Sequence, residues 1–167
     1  MHAYRAEDAE TIVVALGSVV GTIKDTVDEL RAQRVRIGVV AITCFRPWPL
    51  AAVRAALAGA RRIVVLEKAL GVGIGGIVAN NVRAALPDPA TEVYTLIAGL
   101  GGRAITKASL AKAFADAIAG RLEATTFLDL DREVVGRVLA REREVRRSGP
   151  IAENVLKQVG PVAARPG

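Results

Sequence analysis

Four short apolar runs, each followed by a helical pattern, constrain this chain more than any other feature. They are TIVVAL (residues 11–16), RIGVVAI (36–42), RIVVL (62–66) and EVYTLI (92–97). Each is rich in β-branched residues and stops near a Gly, a Pro or a charge, as a buried strand does. After the first run, Val20, Ile23, Val27 and Leu30 fall on one helical face. Ala52, Val53, Ala56 and Leu57 do so after the second, and Ile77, Val78, Val82 and Leu86 after the third. Leu110, Phe114, Ala117 and Ile118 follow the fourth. Strand then helix at this pitch predicts an α/β fold of three layers, α/β/α, around a mostly parallel sheet with right-handed crossovers. TTFL (125–128) reads as a fifth strand at an edge, giving a sheet of about five strands. Asp129 or Asp131 then caps a last helix carrying Val134, Val135, Val138 and Leu139 on one side.

Composition narrows what such a fold does. Of 167 residues, 51% are hydrophobic and only 4% aromatic, so the core is built from small aliphatic side chains. The length suits one domain over residues 1–147. Residues 148–167, with three prolines and little periodicity, read as a flexible tail or one that orders on a partner. Half of the formal net charge of +6 lies from Arg141 onward, and the body mixes both signs. No basic run is interleaved with aromatics, which argues against nucleic acid. No apolar run approaches the ~18 residues of a membrane span. The opening MHAYRAEDAE is polar, unlike a secretion signal, and Cys44 is the only cysteine. These features predict a cytoplasmic location. One Cys and one His make no zinc or iron–sulfur ligand set. The only histidine, His2, sits in a leader that reads as disordered. No Cys–His pair is therefore indicated, and Cys44 reads as a small buried hydrophobe.

In an open parallel sheet, function gathers at the carboxyl ends of the strands. That edge here collects Ser18, Cys44, Arg46, Trp48, Glu67, Lys68 and Arg103. After the third run, Gly71, Gly73 and Gly76 spell G-x-G-x-x-G ahead of a helix. One reading is a pyrophosphate site at a helix N-terminus. The other is close packing of a strand-to-helix turn. The motif follows the third strand instead of the first, and the acidic residue expected ~20 positions on at a strand end is missing, which favours packing. In GLGGRAIT, Gly101, Gly102 and Arg103 form either an anion-cradling turn or a positive-φ turn whose Arg103 pairs with a neighbouring domain's carboxylate. Thr106 is placed to cap the next helix. In FRPWP, two prolines stiffen a loop that presents Arg46 and Trp48, residue types enriched at interface hot spots. Trp48 alternatively covers the end of the core. Glu67 and Lys68 read as a salt-bridged rim. No catalytic pair emerges.

Four stretches in order, YRAEDAETIVVALGSVVGTIKDTVDELR (4–31), RIGVVAITCFRPWP (36–49), RRIVVLEKALGVGIGG (61–76) and LIAGLGGRAIT (96–106), resemble domain II of pyruvate:ferredoxin oxidoreductase and related 2-oxoacid:ferredoxin oxidoreductases. The resemblance extends over residues 4–143. It implies a fold similar to the transketolase C-terminal domain, often with one antiparallel edge strand. It also implies a parent activity, the CoA-dependent oxidative decarboxylation of a 2-oxoacid such as pyruvate. That activity uses thiamine diphosphate with Mg, iron–sulfur clusters and coenzyme A, and passes electrons to ferredoxin or flavodoxin. In such enzymes the thiamine cofactor lies between two other domains. This chain lacks the Gly-Asp-Gly…Asn metal-diphosphate motif, so the resemblance implies a non-catalytic structural or interface domain that binds no cofactor alone. Its implied partners are thiamine-binding and ferredoxin-like domains or subunits within an oligomer. Ala104 stands where the family usually carries Asp. The competing expectation is a stand-alone sensor of nucleotides or small anions, using Gly17 and Ser18, the Gly73–Gly76 turn and Arg103.

Overall fold

The computed structural model describes residues 1–88 and 90–144. Residues 1–129 form one compact unit, and a second begins at Leu130. The expected boundary at 147 and the tail after it lie outside the described residues.

The first unit runs β1 (His2–Tyr4), β2 (Thr11–Leu16), α1 (Val19–Ala32), β3 (Ile37–Ile42), α2 (Leu50–Leu57) and β4 (Arg62–Glu67). It continues with α3 (Ile77–Ala85), β5 (Glu92–Ile97), a 3₁₀ turn (Leu100–Gly102), α4 (Lys107–Ile118) and β6 (Thr125–Phe127). The strands form one six-stranded sheet in the order β1-β3-β2-β4-β5-β6. Every pairing is parallel except that of β1 with β3.

Residue alternation along each strand divides the core into two layers. Val13, Ala15, Val39, Val64, Leu66 and Leu96 face α1 and α4, where Ile23, Val27, Leu110 and Phe114 meet them. Ile12, Val14, Val40, Ile63 and Val65 face α2 and α3, where Val53, Leu57, Val78 and Val82 meet them. Ala52, Ile77 and Ile118, expected on the buried faces, are exposed. The sheet therefore has helices on both sides and a core almost without aromatics.

The sixth strand, β1, comes from the leader expected to be disordered. Three residues are too short a run to show strand alternation; their order is imposed from outside. His2, Ala3 and Tyr4 pair with Ala41, Val40 and Val39. The Tyr4 hydroxyl donates to the Asp28 carboxylate at 2.9 Å, and Arg31 donates to the Arg5 carbonyl at 2.6 Å. The turn after β1 passes so near β3 that a Cβ on Gly38 would lie 2.3 Å from the Arg5 carbonyl oxygen. β6 is the edge strand read from TTFL.

The second unit begins at Leu130 and contains α5 (Arg132–Glu144). Its cap is Asp131, whose Oδ1 accepts from the Val134 amide at 2.9 Å.

Candidate functional site at the carboxyl edge of the sheet

Strand order reverses between β2 and β4. From β2 the chain crosses to β3 on one side, then returns past β2 to β4 on the other. In doubly wound folds, ligands bind in the crevice at this switch point, beyond the strand ends. A crevice of about 320 Å³ lies there. Its walls are Leu16, Val19, Phe45, Leu66, Ala69 and Ile77, with Glu67 and Lys68 among the residues that line it.

The glycine-rich segment after β4 is a miniature hairpin. Gly71 and Gly75 exchange two backbone hydrogen bonds, each 2.8 Å, and form an antiparallel bridge. Gly73 (φ 76°) and Gly75 (φ 85°) hold the left-handed backbone that so tight a turn needs. Asn80, one turn into α3, donates to the Ile74 carbonyl at 2.9 Å and ties the hairpin down.

Gly76 has another task. Its φ of −71° suits any residue. A Cβ there would lie 2.2 Å from Glu67 Oε1 and 2.6 Å from Thr95 Cγ2. The carboxylate that crowds it is the centre of the site. Glu67 is 5% exposed. It accepts from the backbone N–H of Val78 at 2.8 Å and of Ala79 at 3.1 Å. Helix N-termini carry unpaired N–H groups and positive dipole ends, and these attract anions. At α3 the anion is the protein's own. The carboxylate sits where a pyrophosphate would approach, so the donors that make G-x-G-x-x-G a phosphate site are already engaged. Glu67 is thus a helix cap contributed by the preceding strand, not half of a salt-bridged rim.

The other expected residues are dispersed around this centre. Ser18 is exposed at the start of α1 and makes no side-chain cap bond. Gly101 (φ 65°) and Gly102 (φ 79°) turn the chain after β5, and Arg103 Nη1 donates to the Asp129 carbonyl. Thr106 caps α4 by accepting from the Ser109 amide at 3.1 Å. In the loop after β3 the Arg46–Pro47 peptide is cis. The Arg46 guanidinium lies 3.9 Å from the Phe45 ring centroid, and Trp48 meets Phe45 edge-on at 5.7 Å. Trp48 packs partly buried against the α2–α3 layer, and its indole N–H has no hydrogen-bond partner among the described residues. Cys44 is exposed, unlike the buried hydrophobe expected, and its thiol bonds the Arg46 carbonyl at 3.2 Å. Phe45 lines the crevice and joins Arg46 to Trp48, yet nothing in its sequence position singled it out.

These features define the class: an open-sheet, doubly wound α/β domain whose switch-point crevice is apolar and whose anion position is filled from within. Comparison with known proteins then gives the family. Residues 9–110 match the family described as pyruvate:ferredoxin oxidoreductase core domain II, and the chain belongs to it. It is 42% identical over 121 residues to pyruvate synthase subunit PorA of Thermotoga maritima, covering 71% of this chain and 31% of that one. With the PorA subunit of Methanothermobacter thermautotrophicus it shares 40% over 107 residues, covering 64% and 27%. With ketoisovalerate oxidoreductase subunit VorA of Pyrococcus furiosus it shares 31% over 131 residues, covering 77% and 32%. The chain thus spans about a third of the length of these relatives. Its fold is similar to part of the 2-oxoglutarate:ferredoxin oxidoreductase of Magnetococcus marinus, with a TM-score of 0.55 at 21% identity. That match covers 66% of this chain and 18% of the other.

Thiamine diphosphate with its magnesium does not fit this edge. Glu67 would oppose the diphosphate at the start of α3, where the glycine motif leads. Among the described residues no three His, Cys, Asp or Glu side chains gather as a metal or cluster would require. Among those residues, too, no helix is long and apolar enough to cross a membrane.

Proposed function

We propose that this chain is a non-catalytic interface domain of a thiamine diphosphate-dependent 2-oxoacid:ferredoxin oxidoreductase. It packs against the domains that bind the thiamine cofactor and carry the iron–sulfur clusters. Those domains perform the CoA-dependent oxidative decarboxylation, with ferredoxin or flavodoxin as electron acceptor. The observation that carries this reading is the Glu67 carboxylate seated on the start of α3. In a member of this family it closes the start of α3 to an outside anion and leaves a switch-point crevice with mostly apolar walls, a surface suited to another protein. Ser18, Arg46, Trp48, Gly101, Gly102 and Arg103 belong to the same edge as contact candidates.

The test is affinity purification of the tagged full chain from the cells that produce it, at moderate salt. The eluate is assayed for thiamine diphosphate, iron and labile sulfide. Co-purification of all three in fixed ratio to the chain is expected. A chain recovered alone, and stabilised against heat by nucleotides or phosphate, would instead establish a sensor.

A further inference from the structure

The glycine hairpin after β4 carries an inference that rests on this reading and sharpens it. Residues 69–79, ALGVGIGGIVA, contain no polar side chain. Val72 is 97% exposed and Ile74 71%. Leu70 and Ile77 beside them are exposed as well, and Ile77 also lines the crevice. Single exposed aliphatic residues are ordinary, but three along one short loop and a fourth at the helix start that follows mark a contact surface. The hairpin is also held rigid, by the paired bonds of Gly71 and Gly75 and by the Asn80 tether. A preorganised apolar projection loses little entropy when it docks.

We propose that Val72 and Ile74 form a docking knob, and that its occupant is an uncharged apolar concavity on the polypeptide that completes the relatives' subunit. Two observations select that occupant. In the PorA and VorA relatives, the segment matching this chain makes up 26–35% of a single polypeptide, so the domain adjoins nearly twice its length or more of further chain. The knob itself bears no charge and no hydrogen-bonding side chain, so it recognises shape and apolar surface, not phosphate or an ionic peptide. The glycines serve to bring two aliphatic side chains to the tip of a turn too tight for other residues.

The test compares the tagged full chain with Val72→Asp/Ile74→Asp and with Ala58→Asp, an exposed control at the opposite edge of the sheet. Thiamine diphosphate co-purifying per chain is measured. The knob variant should lose it by about tenfold or more, the loss of one hot-spot contact. Ala58→Asp should retain it, and the knob variant should melt with the wild-type chain, since its altered side chains face solvent. As a check that leaves folding untouched, a photo-crosslinking residue at position 72 should capture the polypeptide that completes the relatives' subunit, identified by peptide mass spectrometry. Retention by the knob variant, or no crosslink from position 72 to that polypeptide, overturns the knob and leaves the proposed function standing. A wild-type chain that retains no thiamine-binding polypeptide overturns both. A wild-type dimer that the knob variant converts to monomer assigns the knob to a second copy of the chain and overturns the occupant named here.

Discussion

Replacing Glu67 by Gln tests the self-capped helix directly. The amide keeps one oxygen for one of the two backbone donors and turns an N–H₂ group toward the other. One N–H at the buried start of α3 is then left facing a donor. A hydrogen bond to a charged group contributes about 1.5–3 kcal/mol, and losing it here leaves the backbone group unsatisfied. The negative charge at the helix N-terminus contributes about 0.3–1 kcal/mol more. The sum is about 2–4 kcal/mol. For a chain of this size each kcal/mol moves the melting temperature by about 3 °C, so Glu67→Gln should melt roughly 6–12 °C below wild type. Calorimetry reads the shift. Urea titration with an unchanged m-value would confirm that the native state, not the unfolded ensemble, was altered. If the variant melts within about 1 °C of wild type, Glu67 does not cap α3. If wild type is stabilised by NAD or ATP, the N-terminus of α3 is free for phosphate and the account of the glycine motif is wrong.

Gly76→Ala should destabilise by about 2–4 kcal/mol because its Cβ overlaps Glu67 and Thr95. Gly73→Ala, with open space around it but φ at 76°, should cost only about 1–2 kcal/mol in urea titrations. A phosphate cradle would instead make both variants alike in stability and different in ligand binding. Gly38→Ala places a methyl 2.3 Å from the Arg5 carbonyl oxygen. It should detach β1 and give fast hydrogen exchange at Tyr4 while β2 and β4 stay protected. Hydrogen bonds from Lys112 and then Arg121 hold the Asp116 carboxyl below its usual pKa. Its contribution is therefore complete above the ordinary carboxylate value of about 3.9 and is lost as pH falls through the lowered one. Asp116→Asn should be less stable than wild type at pH 7, and the gap should close on acidification through that range in pH-dependent melts.

Much of the architecture was legible because the same residues satisfy local and tertiary demands. Val13, Val39 and Val64 are β-branched, lie in short bounded runs and are fully buried, so propensity and burial agree. β1 was not legible, because His2, Ala3 and Tyr4 are too few to show alternation and only Tyr4 favours a strand. Its order comes from Arg31 and Asp28, a helix later, and from the bare backbone at Gly38. Ala52 shows the opposite limit: it keeps helical spacing with Val53 and Ala56, yet an alanine does not register whether its face is covered.

At the site, spacing revealed which backbone could come close but not what would come close to it. G-x-G-x-x-G specifies small residues before a helix, and both a pyrophosphate and a carboxylate can use the room they leave. Deciding between them takes the side chain at the end of β4. Glu67 occupies the inward register there because β4 is buried on both faces up to its last residue. A carboxylate with that placement must find donors, and the nearest free ones belong to the start of α3. A strand ending in an inward-facing acid, immediately before a glycine turn, is therefore a sequence sign that the helix N-terminus is spoken for. The same logic turns the remaining glycines outward. Gly71, Gly73 and Gly75 shape a hairpin whose aliphatic tip faces solvent, and the apolar surface so exposed is what the proposed docking of another polypeptide requires.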